Sequence, residues 1–458
     1  MAAGPNWAYS PGVIIVEILS YLSLRDRLRA ASICKRWRSC LFHPSLWNSV
    51  VFELGERGSA KSKFLADRCG RFVRGAVVKF NSLSVAEVRE CGRILAILSE
   101  NKNLRHFSLQ PSSCHIEWPD TEAVHIIDKY LDLIECLIEH TCKLKHLSLG
   151  CVEELLVHSS SLLQKLSSKH GSSLQSLHLA SVKEDSENYG IIDLSPAKFH
   201  NFYLLQSLSL DYDYLTNELL DQFANTDRAK LQKLCINVHG IEADHERITN
   251  DTWRKIRNYS PKLEVTLNLI HSYDGVASLL DIFQPAMPLI HFRQFFCSHV
   301  NMASISYISS HYRNSLKTLH IVDGLVDDMS SLYDNHDMED PFVMLAWQCQ
   351  KLEHFTLMGY VIGENDIVAI ARLRGQQLKT LNIPARCIST AEDEEESNSW
   401  FSVGCVSRDF AKKVSESLRY DWLPIDDDDL PMAVLRDEAD AEAAYMNTLL
   451  SDQVWEGD

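Results

Sequence analysis

Thirteen cysteines and nineteen histidines are the residues of this 458-residue sequence best suited to act as nucleophiles, bases or metal ligands. Their spacing favours none of these roles. No Cys-x-x-Cys occurs, which disfavours both a zinc ribbon and a disulfide framework, so reduced and mostly buried thiols are expected. The sequence has no His-Glu-x-x-His, no phosphate-binding loop and no Gly-x-Ser-x-Gly turn. His115-Ile116-Glu117 matches a fragment of a deaminase signature, but the Pro-Cys-x-x-Cys that would hold the zinc does not follow. The expectation is a chain that is not an enzyme and carries no catalytic residues, no metal and no cofactor.

Charge narrows the choice further. The formal net charge is −17, yet residues 391–458 hold 19 acidic and 5 basic side chains, or −14, and everything before them sums to −3. A chain without a broad basic footprint is a poor direct ligand for nucleic acid. No apolar run approaches the roughly 20 residues of a membrane-spanning helix. Val13 to Leu22, the most apolar early stretch, is interrupted by Glu17 and lacks a basic leader and a cleavage site. A cytoplasmic location is expected, with nuclear residence left open because no compact basic import run stands out.

Polar side chains suited to binding recur in a register. His106, His146, His178, Ser209, Lys233, Arg293, His320 and His354 each stand beside the apolar residues of an L-x-x-L-x-L pattern or a close variant. Clean copies occupy Asn103–Leu109, Lys143–Leu149, Ser173–Leu179, Leu204–Leu210, Lys230–Ile236, Ser315–Ile321, Lys351–Leu357 and Gln377–Ile383, and degenerate ones start at Leu263 and Leu289. First-leucine intervals run from 26 to 40, a period that signals a repeat array.

Alternation with period two makes each copy a short strand with leucines on one side and polar residues on the other. Return segments such as Thr216–Phe223 and 122–139 read as helices. One strand and one helix cannot bury their own leucines, so the units must stack into a curved solenoid lined by a parallel sheet. The fold class expected is therefore an α/β repeat; a conventional α/β domain whose strands recur by chance is the alternative. Val73–Val78 is a weak earlier copy that could serve as the capping repeat. The asparagine or cysteine that usually follows the last leucine by three is replaced by Ser112, Val152, Val182 and Asp213, so the ladder between turns must be built differently. The inner face should be polar and nearly uncharged, suited to a polypeptide. With only Lys233 and Arg293 as cations, it does not suggest a phosphate-reading pocket. Its histidines are expected as ordinary solvated positions, with titration near pH ~6.5 or metal binding as alternatives.

The segment from Ser10 to Trp47 carries the sharpest motif. Ser10 can cap a helix with Pro11 at its first position, and Ile14, Ile15, Ile18, Leu19 and Leu22 form an apolar stripe. Ser23 and Asp26 form a capping-box-like pair that opens a second helix, in which Leu28, Ala31, Ile33, Cys34 and Trp37 are interspersed with arginines and lysine. A short third helix follows Pro44. Roughly forty residues cannot enclose so many large apolar side chains, so part of this surface should need a partner.

Pro11, Glu17-Ile18-Leu19, Leu22, Arg25-Asp26, the run Ile33 to Trp37 and Pro44-Ser45-Leu46-Trp47 together closely resemble the F-box, the helical module that docks on the Skp-type adaptor of cullin-based ubiquitin ligases. Two departures are Ser10 in place of the leucine usual before the proline, and Val13 in place of an acidic residue. With leucine-rich units downstream, the chain resembles the leucine-rich members of the F-box-only family. The organisation expected is an arm at 1–9, a three-helix F-box at 10–50, a linker at 51–70, a leucine-rich-repeat solenoid at 71–390 and an acidic, largely disordered tail at 391–458.

By the resemblance, Pro11, Ile18, Leu19, Leu22, Leu28, Ile33, Cys34, Trp37, Leu46 and Trp47 supply adaptor contacts or hold the module's shape. It also implies an SCF-type substrate receptor, joined through the adaptor to a cullin scaffold and its ring-finger subunit. The receptor would recruit an unidentified protein substrate for ubiquitination and proteasomal degradation. An adaptor-bound scaffold, or a repeat-based binding module without ubiquitination, is the alternative. The tail could instead steer basic substrates or fold back over the concave face. Residues 323–340, with seven acids and no Lys or Arg, are expected as an exposed loop.

Overall fold

In the computed structural model, which describes residues 7–118, 123–183, 185, 189, 194–241, 245–325, 340–389, 407–436 and 439–453, the opening module consists of α1 (Gly12–Ser20), α2 (Leu24–Ser32), α3 (Lys35–Leu41) and a 3-10 turn (Pro44–Leu46). Pro11 is the N-cap of α1 rather than its first residue, and no side chain caps it. Ser23 caps α2 as its type predicts, accepting from the Asp26 amide at 3.2 Å. The single second helix expected from Ser23 to Trp37 is two helices, because Cys34 adopts extended backbone and opens α3.

The leucine pattern emerges as one sheet of twelve parallel strands whose spatial order is their chain order. They are β1 (Ser49–Glu53), β2 (Gly75–Phe80), β3 (His106–Pro111), β4 (His146–Ser148), β5 (Ser176–His178), β6 (Ser207–Asp211), β7 (Lys233–Val238), β8 (Glu264–Ile270), β9 (Leu289–Phe295), β10 (Thr318–Val322), β11 (His354–Met358) and β13 (Thr380–Asn382). A two-residue pair, β12 (Ile362–Gly363) with β14 (Ile388–Ser389), lies outside it. Register stacks like on like: Phe107, Leu147, Leu177, Leu208 and Leu234 are successive partners, all buried. This row faces the returning helices and forms the spine of one apolar core that runs from Ile15 to Leu450. Return segments differ in kind: α5 (Ala123–His140) lies between β3 and β4, whereas a 3-10 turn at Pro196–Phe199 occupies part of the return from β5 to β6. The uneven intervals follow from that.

Three boundaries differ from those expected. Residues 51–70 are not a linker: Val50 and Phe52 point inward from β1, and α4 (Ser59–Cys69) packs beneath. The solenoid therefore begins one unit before Val73–Val78. The opening module is fused to it through Phe42, which stacks on Trp47 at 5.8 Å and meets Phe64 of α4 edge-on at 5.6 Å. At the other end, a solvated, disordered tail does not describe residues 407–436 or 439–453. A helix at Arg408–Leu418 covers the last unit, where the Trp422 indole donates to the Leu381 carbonyl at 2.7 Å and Phe410 packs edge-on against Trp422. A final helix, Glu442–Ser451, buries Tyr445, Met446, Leu449 and Leu450. Burial of those apolar groups outweighs the acidic composition. The expected acidic loop lies mostly outside the described residues.

The missing asparagine ladder is replaced within the sheet. Asp211, Asn237 and Asn268 are successive register partners. Asn268 donates to Asn237 Oδ1 at 2.9 Å, and Asn237 donates to the Ser181 carbonyl at 2.8 Å. Asp211 accepts from the Ser181 amide at 2.8 Å and from its hydroxyl at 2.6 Å. These buried polar groups bond one another across neighbouring turns, as burial favours, with Asn268 Oδ1 left without a partner among the described residues.

Candidate binding surfaces

The opening module sorts its apolar residues into two sets. Leu19, Leu46 and Trp47 are buried, and the Trp47 indole donates to the Leu41 carbonyl at 2.6 Å. Ile18, Leu22, Cys34 and Trp37 are half-buried; Trp37 Nε1 reaches the Trp7 carbonyl at 3.3 Å, so the short turn Trp7–Tyr9 lies against it. Pro11, Leu28 and Ile33 are exposed, and Ile33 is 75% accessible. Val13, Ile14, Tyr21 and Leu24 share that exposure, with Val13 at 81% and Tyr21 at 80%; none of these four was among the expected contact residues. Eight of the twenty exposed large apolar residues found among the described residues fall between Trp7 and Ile33. Such a concentration makes this module a candidate docking surface.

Arg27 is the shape-holding residue that composition hid. Its guanidinium donates to the carbonyls of Leu19 at 2.9 Å, Leu22 at 3.0 Å and Leu46 at 2.6 Å, tying the end of α1 to the 3-10 turn. Carbonyls at a helix end lack intrahelical donors, so a cation there is favourable. Its place in a run of basic residues made it look like surface charge.

The polar residues between the leucines do share the inner face of the sheet, but they are not uniformly open. His106, His320 and His354 are half-buried and Lys233 is exposed. His146, His178, Ser209 and Arg293 are buried. His146 and His178 are therefore not ordinary solvated positions. Their rings lie 5.3 Å apart, and Ser176 Oγ is 2.8 Å from His178 Nε2. Burial pushes the His178 pKa down to about 3, with Lys233 adding to the effect, and burial holds His146 well below its ordinary value. Both are neutral at physiological pH. Among the described residues no group of three or more His, Cys, Asp or Glu side chains is arranged to hold a metal ion.

The C-terminal helix accounts for much of the closure. The Glu442 carboxylate accepts from the Cys114 amide at 2.6 Å and from its thiol at 2.8 Å. Asp452 receives a two-pronged bond from Arg293, one arm of it 3.2 Å long. Gln453 accepts from Ser148 Oγ at 2.6 Å and donates to Cys151 Sγ at 2.9 Å. Cys151 stands just after a turn at Gly150, whose φ is +78° and where a Cβ would come within 2.5 Å of Pro111 Cδ and 2.8 Å of the Leu109 carbonyl oxygen, leaving no room for a side chain. Tyr445 packs over Phe295 at 5.2 Å and lies 3.2 Å from His271 Nε2 through its hydroxyl. The helix thus spans the face from the end of β3 to β9. Its signal in the sequence is Tyr445, Met446, Leu449 and Leu450, apolar at helical spacing inside an acidic stretch.

Residues 11–53 match the F-box-like family. Over 84% of its length, the chain is 28% identical to human F-box only protein 33, covering 78% of that protein. It is 23% identical to mouse F-box/LRR-repeat protein 21, covering 82% of each chain, and 22% identical to human F-box/LRR-repeat protein 8 over 68% of its own length.

Proposed function

From a chain that opens with an F-box-like domain and continues as a leucine-rich-repeat solenoid, we propose the substrate-recognition subunit of an SCF-type ubiquitin ligase. The exposed apolar face of α1 and α2 docks on a Skp-type adaptor, which links the chain to a cullin scaffold and its ring-finger subunit. The solenoid holds a client protein. Chemistry is performed by the conjugating enzyme that the scaffold carries, and this chain acts by raising the effective concentration of client lysines beside it. The client is marked for proteasomal degradation, and the assembly works in the cytoplasm.

The observation that carries this reading is the concentration of exposed apolar side chains at Val13, Tyr21 and Ile33 on a module otherwise packed and fused to the solenoid. Basic residues rim it: apart from the inward-turned Arg27, five Lys or Arg stand against one Asp from Leu24 to Arg38, which suits a partner with an acidic border. The test is affinity purification of the whole chain, wild type and Ile33→Asp. Adaptor and cullin should accompany the wild type and be lost with the variant, and client turnover should slow in cells carrying only the variant. Retention of both partners by the variant would overturn the reading. Partners lost without any change in client turnover would point to the scaffold alternative.

A further inference from the structure

The C-terminal helix Glu442–Ser451 occupies the sheet face that solenoids ordinarily offer to partners, and it is held there largely by side-chain chemistry. It is ten residues long, and its first amide, that of Glu442, donates to Asp440 Oδ1 at 2.9 Å. A helix of that length does not persist alone in water, so its order comes from the face it lies on. The face is equally dependent on it. Arg293 is buried and pairs with Asp452, and a buried guanidinium stripped of its carboxylate is strongly unfavourable. Phe295 and His271 would lose the ring that covers them. The Cys114 amide and thiol would lose their acceptor.

We propose that this helix is a resident stand-in for the client. The inner face is a receptor for an acidic amphipathic helix, and the client's own helix displaces the chain's. The chemistry it takes is written in the occupant: a carboxylate at the position of Glu442, an aromatic ring three residues on at Tyr445, and a carboxylate followed by a carboxamide at Asp452 and Gln453. Tethering gives the resident helix a high effective concentration, so a client must outbid it with extra contacts or arrive at high local concentration. The proposal rests on the receptor reading above for the word client, but not for the exchange itself.

The test uses the full chain bound to its adaptor, with a specific protease site replacing residues 437–438, so that folding is complete before the connection is cut. A fluorescent peptide of residues 439–453 is then added. The cut chain should release its fragment and bind the peptide saturably, at least tenfold more tightly than the uncut chain does. Peptides carrying Asp452→Ala or Tyr445→Ala should bind at least tenfold more weakly. Retention of the fragment without peptide uptake would make the helix a permanent part of the solenoid and overturn the proposal. So would uptake indifferent to both substitutions, or dimers joined through exchanged helices. As a second measurement on the uncut chain, amide exchange in residues 442–451 should be faster than in β3 to β9, and equal protection would count against displacement. Adaptor capture, read in the same samples, reports on the ligase reading separately.

Discussion

At the scale of single residues, the ten apolar positions of the opening module looked equivalent in sequence, since type and spacing reveal a stripe but not which edge is covered. Burial divides them. Ile33 and Leu28 are open, whereas Trp47 and Leu19 are inside. Ile33→Asp should therefore abolish adaptor co-purification while leaving the melting temperature unchanged. Trp47→Ala should lower both, costing about 3–5 kcal/mol as a buried aromatic truncation does. A melting shift from Ile33→Asp as large as that from Trp47→Ala would remove the distinction. Val13 was legible only as a departure from the family pattern, and its exposure shows it to be one of the most accessible apolar side chains of the face. The inner-face histidines were legible as a register, but His146 and His178 were not legible as buried groups, because what surrounds them comes from neighbouring strands, His106 and Lys233 among it. That burial has a pH signature. His178 and His239, each pushed down to about 3 by burial, stay neutral in the fold while the unfolded chain takes up protons near pH ~6.5. Folding stability should then fall as pH drops from 7 toward 5, each histidine contributing about 2 kcal/mol at pH 5. The Asp211 carboxyl, raised by burial, acts in the opposite sense. Denaturant unfolding at pH 7 and pH 5 checks this: His178→Gln should shrink the difference, and an unchanged difference would show that other groups dominate.

Elements were easiest to read where local alternation and burial agree. All ten leucine-rich copies became strands because their leucines have no other way to leave water than a shared row between sheet and helices. β1 was hidden because Ser49-Val50-Val51-Phe52-Glu53 lacks the leucines that defined the repeat and its three apolar residues run together, so that only its burial alternates. The division of α2 from α3 was also hidden: nothing in Ile33-Cys34 forbids a helix, and the break serves the packing of α3 against α1. What holds these short helices in place is Arg27, which bonds the carbonyls of Leu19, Leu22 and Leu46, with that of Ser20 at 3.4 Å. Arg27→Ala should destabilise the module by about 1–3 kcal/mol, the usual cost of stranding part-buried acceptors. Arg27→Lys should rescue little, because one ammonium lacks the fork that reaches three carbonyls. The readout is limited proteolysis within residues 10–47, which should accelerate in both variants while protection of β3 to β8 stays as it was.

Across the whole molecule, a parallel sheet of this length has two raw ends, and each is covered by sequence that was expected to be something else. At the start, the opening module and α4 close over β1 through Phe42, Trp47 and Phe64. At the far end, β13 is covered by the segment from Arg408 to Ile425, in which Trp422 bonds the Leu381 carbonyl and Ile425 donates to the Ile383 carbonyl at 2.9 Å. The tail's charge masked both this cover and the helix that follows, since averaging 19 acids over residues 391–458 hides two apolar faces within them. In a solenoid each unit is stabilised mainly by its neighbours, so loss of a terminal cover is felt locally and fades along the stack. Trp422→Ala should therefore create an early, partial unfolding transition confined to the units around β11 and β13, while β3 to β6 keep their protection from hydrogen exchange. Asp452→Ala should do the reverse, raising exchange around Arg293 and Ser148 but leaving β13 protected, because the C-terminal helix lies on the inner face and not on the end of the stack. If both substitutions loosened the same strands, the two halves of the tail would be one cooperative cap, and the inner face could not be opened without unravelling the end.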